Sequence, residues 1–134
     1  MQEVLARRWS ECVICLSAGA PLAATVMMGG LLEGLLLAKV NSLSDKTGVF
    51  TATNAPKDRS GQPLPLAHWT LKNYIDVAHE LRWISRSARD VGAVLRDYRN
   101  YVHPQKELSH GISLSAQDAT LWWEVSKLIA RELL

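Results

Sequence analysis

Several catalytic signatures are missing from this chain. It has no glycine loop of the kind that cradles phosphates, no Gly-x-Ser-x-Gly elbow and no His-Glu-x-x-His pair, which removes most common enzyme classes. Gly29-Gly30 falls inside a helical pattern, so it is no dinucleotide fingerprint. There are only 2 cysteines, Cys12 and Cys15, and without a second pair a Cys-x-x-Cys cannot close a zinc site. On a helix Cys12 shares a stripe with Leu5, Trp9 and Leu16, so it reads as a small core residue. Both thiols are expected to be reduced, in a cytoplasmic protein. No residue cluster calls for a metal or a cofactor. The N-terminus shows no basic patch leading into an apolar run, hence no secretory signal. The uncharged run Ala18 to Leu32 is shorter than the ~20 residues of a membrane span and ends at Glu33, so no membrane partner is expected. The formal net charge is only +2, so any contact with nucleic acid must come from local concentration of charge. Internal repeats and low-complexity tracts are absent as well.

What is present is a chain of 134 residues, 48% hydrophobic and 21% charged, enough for one domain with its own core. The patterning predicts an all-α bundle of four to five helices over residues 1–134, with a long irregular loop between helices two and three. Helix one is predicted over Gln2–Leu16, broken by Gly19-Ala20-Pro21. Helix two, roughly Pro21–Leu43, is apolar nearly all round, as a covered central helix should be. Its Gly29, Gly30 and Gly34 cost roughly 1 kcal/mol each relative to Ala, so close approach of another helix or a second subunit should compensate. Glu33 among leucines needs a partner or water. It either pairs with Arg96 or Arg99, or stands at a solvated edge or in a purely structural ion pair.

From Ser44 to Ala67 regular patterning stops at Gly48, Pro56, Gly61, Pro63 and Pro65, apart from a short extended piece conceivable at Val49–Thr53. This loop reads as a lid or a dimer arm. Thr70 is predicted to cap helix three, running to about Trp83, and Ser85 or Ser87 to cap helix four. Gln105–Ser113 reads as a second loop. Ser115 and Asp118 open helix five, whose stripe is Trp122, Val125, Ile129 and Leu133. Trp123 falls off that stripe, toward the long loop or an adjoining subunit.

Helix four carries the chemistry. At ~100° per residue Val91, Leu95, Tyr98 and Val102 point inward, while Arg89, Arg96, Asn100 and His103 form a neighbouring stripe. Pro104 ends the helix and leaves His103 in its last turn. Arg96-Asp97 followed by His103 resembles the Arg-polar-spacer-His motif of the HEPN superfamily, small all-α domains that include metal-independent ribonucleases. The apolar helix Met27–Leu36 is similar to the long helix preceding that motif. The resemblance implies a homodimer in which two motif helices build one composite site. His103 would move the proton of the ribose 2′-hydroxyl, and Arg96 with Arg99 would stabilise charge on the phosphate. Asn100 would fix the imidazole or bind a phosphate oxygen, with Asp97 and Glu33 in support. Arg89 and Arg86 would extend a track for an RNA backbone, and Tyr101 would offer a stacking surface. A toxin or defence ribonuclease of this type implies a cognate antitoxin protein. The second reading is a non-catalytic dimerisation module that binds a nucleotide, RNA or protein partner. In it the arginines bridge nearby carboxylates, and Tyr98 and Tyr101 pack an interface.

Overall fold

A computed structural model describes residues 1–111 and 113–134. Among these the regular structure is entirely helical: α1 (Gln2–Ser17), α2 (Pro21–Asn41), α3 (Thr47–Phe50), α4 (Leu71–Glu80), α5 (Arg86–Arg99), α6 (Pro104–His110) and α7 (Ala116–Leu133). The all-α class is as expected, but the helices number seven and not four to five. The two additions, α3 and α6, lie in segments expected to be irregular.

α2 is the axis of the bundle. It packs against α1, α7, α4 and α5, and its Met28, Leu31, Leu32 and Leu36 are fully buried. By length and mean hydropathy, 1.6 over its best window, it is also long and apolar enough to cross a membrane. Its glycines are filled from two sides. A Cβ on Gly34 would lie 2.8 Å from Leu5 Cδ2 of α1, and one on Gly29 would lie 2.5 Å from Arg99 Cδ of α5. The compensation for glycine in mid-helix is thus close packing within one chain. Buried hydroxyls are satisfied locally, Thr25 by the Pro21 carbonyl at 2.9 Å and Ser126 by that of Trp122 at 2.8 Å.

The turns follow from a few residues. Gly19, at φ 69°, closes α1 with Gly19 N–H donating to Leu16 and Ala20 N–H to Cys15, and Pro21 then opens α2. Arg82 makes the same closure after α4 at φ 61°, its N–H donating to His79 and that of Trp83 to Ala78. That ends α4 at Glu80, short of the expected Trp83. Thr70 and Ser115 form capping boxes with Asn73 and Asp118. Of the two serines offered for α5, Ser85 is the cap. Its N–H and hydroxyl also donate to the Glu132 carboxylate of α7, both at 2.9 Å, which docks the start of α5 on the end of α7.

The segment between α2 and α4 is a packed arm. Val49 lies on α3 and not on an extended piece, and it is buried together with Ala52 and Ala55. Glu80 of α4 accepts from the backbone N–H groups of Thr53 and Asn54 and from Asn54 Nδ2, at 2.7, 3.0 and 2.7 Å. Further on, Trp69 is buried between Phe50 and Tyr74 and donates through Nε1 to the Leu64 carbonyl at 3.0 Å. Trp123 is buried, and its ring meets Trp9 of α1 edge-on at 4.6 Å.

Candidate functional site

The last turn of α5, the start of α4 and Glu33 of α2 enclose a cleft of about 510 Å³. Its walls include Arg96, Asp97, Arg99, Asn100 and Glu33, so five of the residues singled out in the sequence do come together. Arg99 Nη1 donates to Glu33 Oε2 at 3.1 Å, which answers the question of what Glu33 pairs with. Both side chains stay about one-third exposed, at 33% and 38%, so the contact is open to exchange with a ligand. Arg96 binds its neighbour Asp97 through Nη2 at 2.7 Å and Nε at 3.2 Å.

Two contributors were not legible beforehand. Lys72 and the first turn of α4 form the opposite wall. The capping box uses the Asn73 and Thr70 N–H groups and leaves the Leu71 and Lys72 amides at the positive end of the helix dipole. Thr70 was recognisable as a cap, but nothing local in the sequence said which helix its amides would face. Lys72, Arg96 and Arg99 against Glu33 and Asp97 leave a net charge of +1 around the cleft. Cations, amide donors and a carboxamide in one concavity are groups that bind phosphate oxygens.

His103 is not on this wall. α5 ends at Arg99, a 3₁₀ turn covers Asn100–Val102, and His103 is the N-cap of α6 with an extended backbone, φ −85° and ψ 111°. Its carbonyl accepts from the Lys106 and Glu107 amides at 3.0 and 3.2 Å. The tighter turn shifts the phase of the side chains, so His103 leaves the stripe of Arg96 and Asn100. For the same reason Val102, expected inside, is 49% exposed, and Tyr101 is buried in its place. Tyr101 therefore offers no free stacking face. It packs edge-on against Tyr98 and against His110, whose Nδ1 lies 3.2 Å from the Tyr101 hydroxyl. The imidazole of His103 is solvent-exposed and separate from the cleft within one chain.

The arginine track back along α5 is compensated by carboxylates. Arg89 Nε is 3.4 Å from Asp76, which also holds Lys72 at 2.6 Å, and Arg86 Nε is 3.9 Å from Asp90. Burial alone would raise the Asp76 carboxyl, but the hydrogen bonds and charges of Lys72 and Arg89 outweigh it and hold the group below its ordinary range. Burial pushes the Cys12 thiol up to about 12, with the neighbouring Cys15 adding to the rise, as suits an inert core residue. No group of three or more His, Cys, Asp or Glu among the described residues is placed to hold a metal. No protein-family model matches this chain, and neither does any curated protein or solved structure.

Proposed function

We propose that this chain is a HEPN-like domain that acts on RNA as a homodimer, cleaving it without a metal as toxin or defence ribonucleases do. The observation that carries this reading is the cleft itself: Arg96, Arg99, Lys72 and Asn100 converge on the start of α4, a set suited to a phosphodiester. His103 would reach that phosphate only from a second copy. Its surroundings favour such an approach, because His103 is exposed and the same stretch of chain carries two exposed apolar side chains, Val102 at 49% and Leu108 at 81%. An isologous contact through this apolar rim would give each cleft the imidazole of the other chain. His103 would then take the 2′-hydroxyl proton, while the guanidiniums stabilise the charge that develops on the phosphate.

A second reading has its own observation. Both cleft arginines already carry a carboxylate, Asp97 and Glu33, which suits binding without cleavage. In that case the domain is a non-catalytic module holding a nucleotide, RNA or protein partner. Incubation of a mixed RNA pool in EDTA separates the two. The ribonuclease reading expects cleavage with 2′,3′-cyclic phosphate ends by the wild type, and loss of about 10²-fold or more in His103→Ala and Arg96→Ala. RNA binding without cleavage supports the module. Equal cleavage by all three proteins would remove His103 and Arg96 from the chemistry.

A further inference from the structure

The Arg99–Glu33 pair has a second face. Behind it, between α1, α2 and the segment leading into α4, lies a second, adjoining groove of about 430 Å³, a size typical of small-molecule sites. Its walls are mostly apolar, with Leu5, Leu37, Leu66 and Trp69. The aromatic polar atoms here are already used: Trp69 Nε1 donates to the Leu64 carbonyl at 3.0 Å and the Tyr74 hydroxyl to that of Leu66 at 3.2 Å. Both rings are buried, so the apolar surface open to a ligand comes from the half-buried Leu5, Leu37 and Leu66. Charge enters the groove from Arg8, Arg99 and Glu33, a net of +1. Arg99 is occupied by Glu33, whereas Arg8 has no carboxylate within 4.0 Å among the described residues. The Arg8 guanidinium lies against α2 where Gly30 has no side chain, since a Cβ there would sit 2.6 Å from Nη1.

We propose that this groove binds a small organic monoanion with an apolar body. The body lies against Leu5, Leu37 and Leu66, and the anionic group binds Arg8. Glu33 at the inner end sets the charge limit, because a second negative group there would meet a carboxylate. The groove shares Glu33, Trp69 and Arg99 with the RNA cleft, whereas Arg8 belongs to the groove alone.

Titration calorimetry on the full chain tests this with three probes: 2-naphthoate, the neutral 2-naphthalenemethanol and inorganic phosphate. Naphthoate is expected to bind one per chain, about tenfold or more tighter than either of the others, the difference expected of a charge-assisted contact added to apolar burial. Arg8→Gln should weaken naphthoate by a similar factor while leaving RNA binding and the melting temperature as in the wild type. Leu66→Glu, on the opposite wall, should abolish naphthoate binding by placing a like charge beside the ligand. Absence of naphthoate binding at millimolar concentration would overturn the proposal. So would equal affinity for the alcohol or for phosphate, or unchanged affinity in Arg8→Gln.

Discussion

At the level of single residues, the clearest strain is at Arg82. It closes α4 in the left-handed conformation that Gly19 supplies without cost after α1. A side chain at φ 61° costs roughly 1–2 kcal/mol, and Arg82 is exposed, with no ion pair among the described residues to offset this. Arg82→Gly should therefore stabilise the fold by ~1 kcal/mol, a rise of roughly 3–5 °C in melting temperature by calorimetry. An unchanged or lower melting temperature would show that the Arg82 side chain has a compensating role. Gly29 is the opposite case. Alanine there would gain ~1 kcal/mol of helix propensity but would force Arg99 aside, since the new Cβ lies 2.5 Å from Cδ. Gly29→Ala should thus leave stability within about 1 kcal/mol of wild type while weakening RNA binding severalfold. Fluorescence anisotropy with a labelled RNA, run beside a thermal melt, reads both effects.

At the level of elements, the arm between α2 and α4 depends on Glu80. Burial would raise this carboxyl, but the amides of Thr53 and Asn54 and the Asn54 side chain hold it below its ordinary 4.5. A carboxylate lowered on folding contributes stability that is fully present above its unfolded value and lost as pH falls through the folded one. Glu80→Gln should accordingly cost ~1 kcal/mol at neutral pH, a value discounted for solvent screening. The gap to wild type should close below about pH 4.5, and a gap that persists in acid would mean the contact is not ionic. Nothing in Thr53-Asn54 announces this contact, because its partner lies far along the chain. The elements that could be read share one property, a boundary set by neighbours in sequence: Gly19-Ala20-Pro21, Thr70 with Asn73, and Ser115 with Asp118. α6 has such a boundary too, Pro104 at its first turn and Gly111 in the left-handed region at its end. Reading Pro104 only as a stop hid that helix and placed His103 on the wrong side of the boundary. Arg82 gives no sign by residue type, so the periodicity alone extends α4 beyond its true end at Glu80. The cleft is half legible in the sequence: Arg96 and Asn100 share a face as the α5 stripe implies, and Arg99 pairs with Glu33 as one of its alternatives allows, whereas Lys72 depends on how α4 lies across α5.

For the whole molecule, the question is whether one chain or two make a site. Within a chain the arginines and His103 belong to separate surfaces, parted by the 3₁₀ turn at Asn100–Val102. A composite site across a two-fold axis joins them without any change of fold. It makes a prediction that an intramolecular site does not. In a mixture of His103→Ala and Arg96→Ala chains, random exchange makes half the dimers mixed, and each mixed dimer has one site with an intact imidazole and an intact guanidinium. The mixture should recover roughly a quarter of wild-type cleavage, although each variant alone is inactive. Leu108→Glu places a charge on the exposed apolar side chain of α6, the helix that His103 caps. In wild-type chains it should abolish both dimerisation and cleavage while leaving the helical content unchanged, measured by sedimentation and circular dichroism. Added to both inactive variants, it should also abolish the recovered activity. Recovery that survives Leu108→Glu would place the dimer contact elsewhere on the bundle. No recovery on mixing, with subunit exchange verified by labelled chains, would mean that the imidazole and the guanidinium do not act across the interface.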